Sequence, residues 1–465
     1  MPGSWLQKLT TAPGLGSVAA TVQAWRVSRR RYGRVYEALV PEIERRSRMS
    51  RDEMRAHCDE RLAALVSHAY AHVPHYREAW RRAGLSPQDV RSIDDLARLP
   101  ILSREEVRAA PQRLLDERLP PSALIRLSTS GSTGSPLTLF RTPEAEATSY
   151  AFFEARCRRP AGMQFGRLPY VMIGGQLVAP VTRERPPFWV YNYAWKQLYL
   201  SSYHLSERFL PHYLDQMRRR PYHAILGYPS SVYTVARHLL ERGEPPIPMR
   251  CTITSSETLF EHQREAIERA FGCKVFDQYG AGELCVFAAQ CEQGSMHLSP
   301  DYGLVEVLGD DGRPCPAGQT GELVCTSLIN FGQVFLRYRL GDRGAIDENR
   351  CVCGSALPVL SRLEGRVDEV LRTRDGRVIG RLDPVFKSVE HVREAQIIQE
   401  EDDRFVVRVV PAPGYDAATA ETIRRNLADR VGDARIDVIS VDRIERTRAG
   451  KFRAVINRVG ATPNP

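Results

Sequence analysis

Residues Ser128 to Pro136 read STSGSTGSP, with six hydroxyl side chains and two glycines in nine residues. Apolar runs flank the stretch on both sides, Leu124 to Leu127 before it and Leu137 to Phe140 after it. Pro136 and the β-favouring residues that follow argue against a helix, so the stretch reads as a loop joining two strands. Gly131 and Gly134 let the backbone turn its N–H groups inward, and the hydroxyls add donors around the same concavity, which suits phosphate oxygens. The string lacks the Lys of G-x-x-x-x-G-K-S/T and the spacing of G-x-G-x-x-G, so neither common nucleotide motif applies. Standing alone, a Ser/Gly run is more often a flexible surface loop. Its meaning depends on what lies downstream.

The chain has 465 residues, a length that allows about two to four domains. Its 43% hydrophobic and 26% charged residues are ordinary globular composition. No apolar run approaches the span of a membrane helix and no signal-peptide core is visible, so a soluble cytoplasmic protein without a transmembrane segment is expected. Seven of the ten cysteines fall between Cys273 and Cys353, a clustering that favours reduced thiols or a metal site over disulfides. The formal charge of +9 comes chiefly from arginine, as in Arg26, Arg29, Arg30, Arg31 and Arg34. Such a run attracts nucleic acid or anionic lipid. Without an accompanying nucleic-acid motif it reads as a solvated helix face, and no nucleic-acid partner is expected.

Residues 17–84 read as helices, with few breakers from Ala19 to Leu39 and with Met54, Cys58, Leu62 and Leu65 at three- to four-residue spacing. Ser92-Ile93-Asp94-Asp95 looks like a cap opening a short helix. His68, His72 and His75 read as surface and packing histidines, because Pro74 breaks their register and nothing completes a metal site. From about residue 124 to 360, short β-rich runs alternate with helices, as a layered α/β domain requires. Tyr170 to Ile173, Ala224 to Leu226, Cys251 to Thr254 and Lys274 to Gln278 read as strands; Glu207 to Arg218, Ser231 to Arg242 and Phe260 to Phe271 read as helices. The last three strands end in GYPS (227–230), SSE (255–257) and YGAGE (279–283), loops that would line one cleft at the carboxyl ends of an open sheet. The aromatic stretch from Phe188 to Tyr203 is read either as part of an acyl pocket or lid or as core. After Gly365 the texture changes to that of a small α+β unit with a helix from Ala417 to Val431.

STSGSTGSP, YGAGE, YRLGD (338–342), GRVDEV (365–370) and RTRAGKFR (446–453) together resemble, in order and spacing, the adenylate-forming (acyl-CoA synthetase) superfamily. LVSHAYAHVPHYREAWRRAGL with DDLARLPILSREEVR, and YPSSVYTVARHLLERG with TSSETL, look like phenylacetate-CoA ligases and the related proteins of capsular polysaccharide biosynthesis. The resemblance implies an α/β fold with a large layered N-terminal adenylate-forming domain and a small mobile α+β C-terminal domain. Residues 1–123 would be a helical region of the large domain, 124–364 its α/β core, and 365–465 the mobile domain. It also implies ATP, Mg²⁺ and CoA, with a small-molecule carboxylic acid activated as acyl-AMP and converted to a thioester. Transfer to a carrier protein or an amine, or a degenerate nucleotide-binding paralogue without turnover, are the alternatives.

Residue roles follow from the same resemblance. Ser128, Thr129, Ser130, Gly131, Ser132, Thr133 and Gly134 would hold the β- and γ-phosphates, with Glu283 helping to hold Mg²⁺. Tyr279 and Gly280 would lie at the adenine, bordered by Ser256 and Glu257. Asp342 offers two acceptor oxygens for the ribose hydroxyls, with Arg366 nearby. Tyr228 and Ser230 are candidates for the acyl pocket. Lys451 would be the catalytic cation between carboxylate and α-phosphate, and Asp368 the hinge. Two departures stand out: Ser135 precedes Pro136 where many relatives carry Lys, and Gly282 stands where Thr or Ser is usual.

Cys291, His297, Cys351 and Cys353 form a second constellation. Three thiolates and an imidazole are a closed tetrahedral set for structural Zn²⁺, with four ordinary reduced side chains as the plain reading. Cys285, beside Glu283, reads as a packing residue.

Overall fold

The structure, a computed structural model, describes residues 15–128, 137–176, 178–180, 183–347, 351–366, 371–372, 378–379, 383–386, 389, 391–447 and 452–459. Thr129, Ser130, Gly131, Ser132, Thr133, Gly134, Ser135, Asp368 and Lys451 lie outside the described residues, and Ser128 and Arg366 are described in their backbone alone.

The chain opens with α1 (Gly16–Arg31) and α2 (Arg34–Arg46). The helical stretch from Ala19 to Leu39 is divided at Gly33, where an added Cβ would lie 2.7 Å from the Arg29 carbonyl oxygen. A capping box between Ser50 and Glu53 opens α3 (Arg51–His72). Its buried face is Met54, Cys58, Leu62 and Leu65, as their spacing requires. Pro74 occupies the first position of α4 (Pro74–Arg82), where a missing N–H costs nothing. Ser92 and Asp95 form a second capping box, and it opens a 3₁₀ turn, Ile93–Arg98. These elements pack on the large sheet in one apolar cluster reaching Phe335, Leu336 and Tyr338. The Leu102 amide donates to the Arg337 carbonyl at 2.9 Å, and the Arg339 amide donates to the Leu102 carbonyl at 3.0 Å. That pair of bonds seats α5 (Arg104–Ala109) beside the sheet.

Strands β1 (Ile125–Ser128) and β2 (Thr138–Arg141) pair antiparallel, with Ser128 opposite Thr138. The strand–loop–strand reading of the hydroxyl-rich stretch thus holds for both flanks. Next come α6 (Pro143–Phe153), a π turn Glu154–Arg158, and strands β3 (Tyr170–Gly174), β4 (Trp189–Asn192) and β5 (Gln197–Ser201). Helix α7 spans Leu210–Arg218 and starts later than Glu207, because Pro211 is accommodated in a first turn and not in a helix interior. Strand β6 (Ala224–Gly227) leads into α8 (Pro229–Glu241), β7 (Cys251–Ser255) into α9 (Glu261–Phe271), and β8 (Lys274–Gly280) follows. Strands β5, β3, β6, β7 and β8 are parallel neighbours in that order. Every residue of β5 and β6 is buried, the pattern of strands covered on both faces.

The rest of the sheet is antiparallel: β9 (Phe287–Gln290), β10 (Met296–Leu298), β11 (Gly303–Leu308), β12 (Gly321–Ser327), β13 (Tyr338–Asp347) and β14 (Val359–Arg366). Among the described residues the spatial order is β11-β12-β13-β14-β10-β9-β8-β7-β6-β3-β5-β4. Beyond it, β15 (Leu371–Arg372) pairs with β16 (Val378–Ile379), and β17 (Val392–Glu401), β18 (Arg404–Pro411), β19 (Arg435–Ser440) and β20 (Val455–Asn457) form a separate sheet covered by α10 (Ala417–Val431). Phe405, Val407 and Val409 alternate inward along β18 and join Ile423 and Leu427 of α10 in a core of their own.

An ion triad binds the first helices to the sheet. Asp301, between β10 and β11, accepts from Arg46 Nε at 2.9 Å and from both terminal nitrogens of Arg156 at 2.6 and 3.0 Å. All three side chains are buried. Removing the shared anion would strand two guanidinium groups out of water, so Asp301→Ala is expected to destabilise the protein by about 3–5 kcal/mol. Denaturant unfolding of the purified variant measures this.

Candidate nucleotide and metal sites

Because β3, β6, β7 and β8 are parallel, their carboxyl ends open on one edge. Tyr279 and Gly280 end β8, and Glu283 lies in the loop that follows. The Tyr279 hydroxyl donates to Asp342 Oδ2 at 2.6 Å. Burial first, then the Asp342 charge, pushes the Tyr279 phenol well above its ordinary pKa and keeps it a donor. Asp342 follows Gly341, which has φ +85°, and stands opposite Arg366 in the β13–β14 register. A register shift between Arg343 and Gly344 turns the strand at this point.

Glu283 is buried, and its Oε1 accepts the Tyr338 hydroxyl at 3.2 Å. Arg104 Nη1 is 3.9 Å from the same oxygen, and Arg104 Nη2 is buried with no hydrogen-bond partner among the described residues. Sequence reasoning passed over Arg104. It sits 179 positions before Glu283, and only the pairing of Leu102 with the start of β13 brings it here. Among the described residues, an added Cβ at Gly282 would meet only Leu139 Cδ1, at 3.4 Å, an ordinary contact. Arg141 donates to the Gly282 carbonyl at 3.1 Å and ties the loop to the β1–β2 hairpin. Cys285 is fully buried with its thiol pushed up by Cys325 and by burial, in keeping with a packing role.

At the end of β7, Ser256 adopts φ +74°, a conformation uncommon for a residue with a Cβ and concentrated at functional sites. Glu257 Oε2 accepts the Ser230 amide at 3.1 Å, and Oε1 accepts the Phe452 amide at 2.6 Å. The residue expected to border a base thus also fastens the terminal basic loop, one position after Lys451, to the mouth formed by α8 and β7. Burial raises the Glu257 pKa, with the Ser230 and Phe452 bonds acting against it.

Tyr228 caps α8 and meets the Gly175 backbone. Tyr203 donates to the Gly175 carbonyl at 3.2 Å, and the Gln176 amide donates to the Tyr199 hydroxyl at 2.7 Å. Three tyrosines therefore surround the turn after β3. Within the aromatic stretch from Phe188 to Tyr203, Phe188 is core, buried and stacked on His204, while Tyr203 reaches this turn.

Cys291, His297, Cys351 and Cys353 converge, with their ligand atoms all within 4.8 Å of one another. This is the one such group among the described residues. Cys291 Sγ and Cys351 Sγ are 3.8 Å apart, and Cys353 Sγ is 3.3 Å from His297 Nε2. Tetrahedral Zn²⁺ with bonds of about 2.3 Å to sulfur and about 2.0 Å to nitrogen has S···S edges of about 3.8 Å and S···N edges of about 3.5 Å, which these two contacts approach, so the residue types and their convergence suit the ion. His297 Nδ1 lies 3.1 Å from the Leu357 carbonyl, which orients the ring with Nε2 toward the thiols. Burial alone would raise the Cys351 thiol; hydrogen bonds from Ser295, the Cys353 amide and neighbouring groups outweigh it and bring it to about 6. His68, by contrast, faces the Phe331 carbonyl at 3.0 Å and packs on that ring.

Residues 371–458 match the family model described as the CapK C-terminal domain. The chain is 24% identical over 391 residues to Protein CapK of Staphylococcus aureus, covering 83% of this chain and 85% of that protein. It is 26% identical over 468 residues to the phenylacetate-coenzyme A ligase of Thermus thermophilus, covering 90% and 98%. A solved structure of 2-hydroxyisobutyryl-CoA ligase in its postadenylation state, in complex with R3-HIB-AMP, superposes with a TM-score of 0.70 at 22% identity over 88% of this chain and 90% of that one. The resemblance carried by the five motifs, to the adenylate-forming superfamily and to its phenylacetate-CoA ligase and capsular branch, thus extends to most of the chain and to its fold.

Proposed function

We propose that this protein is an ATP- and Mg²⁺-dependent acid–thiol ligase that activates a carboxylic acid as acyl-AMP and transfers the acyl group to CoA. The observation that carries the reading is the hydrogen bond from Tyr279 to Asp342 at the end of β8, with Glu283 in the loop that follows and Glu257, at the end of the neighbouring strand, accepting the Phe452 amide. The phenylacetate-coenzyme A ligases and the sulfoacetate–CoA ligase similar to this chain support CoA as the acceptor.

In the first step a carboxylate oxygen of the acid attacks the α-phosphorus and the bond to pyrophosphate breaks; in the second the CoA sulfur attacks the acyl carbon and AMP departs. The protein's task in the first step is to align two anions and offset the developing charge. Residues 128–134 would cradle the β- and γ-phosphates, Asp342 the ribose hydroxyls, and Tyr279 the adenine. Glu283 would hold Mg²⁺, which neutralises charge on the leaving pyrophosphate, with water and phosphate oxygens completing the shell. The acid would lie against Tyr203, Tyr228 and Ser230. Lys451 would stand between carboxylate and α-phosphate, and rotation about Asp368 would withdraw it before thioester formation.

Arg104 supplies what Ser135 lacks in this scheme. Its Nη2, a buried donor beside Glu283 with no hydrogen-bond partner among the described residues, would be free to meet a phosphate oxygen and so supply the positive charge that Ser135 does not. That favours a working enzyme over a degenerate paralogue.

Zinc at Cys291, His297, Cys351 and Cys353 would be structural, since four protein ligands leave no open position. It would hold the β9–β10 hairpin to the segment entering β14, and through β14 steady the strand that carries Asp342.

Lys451→Ala is expected to abolish acyl-AMP formation while sparing thioester formation from supplied acyl-AMP, and Arg104→Gln to slow the first half-reaction about a hundredfold. Loss of both half-reactions in a folded Lys451→Ala protein contradicts the assignment of Lys451, and an undiminished first half-reaction in Arg104→Gln contradicts that of Arg104. Elemental analysis of protein purified without chelators should find stoichiometric zinc that Cys351→Ser/Cys353→Ser loses together with thermal stability. Zinc-free wild-type protein of full stability would remove the metal from the account.

A further inference from the structure

Helix α1 packs inward through small residues, Gly16, Ala19 and Ala24, and carries its larger apolar side chains outward. Its hydroxyls face the sheet's edge strand and the turn after it: Ser17 Oγ accepts the Tyr191 amide at 3.0 Å, Thr21 Oγ1 accepts the Tyr193 amide at 3.1 Å, and Ser28 Oγ accepts Trp195 Nε1 at 2.7 Å. Arg30 and Arg31 fold back onto Glu146 of α6. What remains outward is Leu15, Val18, Val22 and Trp25, at 52%, 60%, 41% and 54% exposure, together with exposed Arg26 and Arg29. At 100° per residue these positions share one face of the helix. Every exposed residue of this face is apolar or arginine. The guanidinium of Arg29 lies 3.9 Å from the centre of the Trp25 ring, and Tyr193, 64% exposed, stands on the strand turn that the helix caps.

We infer that α1 is a docking face for an anionic lipid bilayer surface, entered by Leu15, Val18, Val22 and Trp25 and held by Arg26 and Arg29. Two observations select this occupant. An apolar stripe ending in Trp and bordered by Arg is the composition of helices that lie in the interfacial plane, with the aromatic ring and guanidinium groups at headgroup depth. The charge is one-sided: no acidic residue precedes Glu37, whereas Lys8, Arg26, Arg29, Arg30, Arg31 and Arg34 all do. A two-fold contact between copies would set these arginines against their own images with no acid on the helix to meet them. Anionic headgroups meet them directly. The bland assignment of the Arg run to a solvated face fits Arg30 and Arg31 least, since both pair inward, and leaves the exposed Val-Val-Trp stripe without a purpose. No described helix is long and apolar enough to cross a membrane, so contact would be peripheral.

The test is co-flotation of the full-length protein with vesicles of phosphatidylcholine alone and of phosphatidylcholine with phosphatidylglycerol, alongside sedimentation velocity. The expected result is binding at least about tenfold stronger to the anionic vesicles, weakened by salt. Val18→Asp/Val22→Asp and Arg26→Glu/Arg29→Glu should each lower it about tenfold while leaving the thermal unfolding midpoint unchanged, since all four side chains are exposed. Equal binding to both vesicle types, or binding that the variants retain, overturns the inference. Self-association abolished by Val18→Asp/Val22→Asp, with no vesicle binding, assigns the face to a second copy and overturns it too.

Discussion

The hydrogen bond from Tyr279 to Asp342, 2.6 Å long, joins the two halves of the molecule's main sheet. Tyr279 ends the last parallel strand, β8, and Asp342 lies in β13 of the antiparallel half, with β9, β10 and β14 between them in the sheet. For the bond to form, β13 must turn toward β8, and the positive φ of Gly341 with the register shift after Arg343 permits that turn. The candidate nucleotide site therefore lies where parallel pairing gives way to antiparallel pairing. Glu283 sits in the loop that makes the change. The four-ligand Cys and His cluster stands beside the same seam, between β9–β10 and the entry to β14.

Much of this was legible in the sequence, for identifiable reasons. Strands such as Cys251–Ser255 and Lys274–Gly280 declare themselves by β-branched and aromatic residues ending in Ser or Gly turns. The Cys and His set was legible because few residue types bind zinc and their identity survives any uncertainty in geometry. Tyr228, Ser256, Glu257, Tyr279, Glu283 and Asp342 were reached by motif order, and the parallel strand ends bring the first five to one edge.

What escaped was long-range. Arg104 reads as an ordinary helix-start charge until Leu102 pairs with β13 and brings it beside Glu283. The role of Glu257 in fastening the terminal loop depends on Phe452, 195 positions away. The break at Gly33 is not marked in the sequence because a lone glycine is tolerated in helices; in the fold it is the extended residue that caps the next helix. Composition likewise gave the arginine run one meaning, whereas helix geometry sends Arg30 and Arg31 inward and Arg26 and Arg29 outward.

The central claim is that these side chains form one adenylating site, in which a carboxylate displaces pyrophosphate from ATP. Exchange of radiolabelled pyrophosphate into ATP by the wild-type protein, measured over aryl, fatty, amino and sugar acids, tests it most directly. The account predicts Mg²⁺-dependent exchange above the acid-free blank with at least one of these classes. Protein that binds ATP yet shows no exchange with any of them would contradict it.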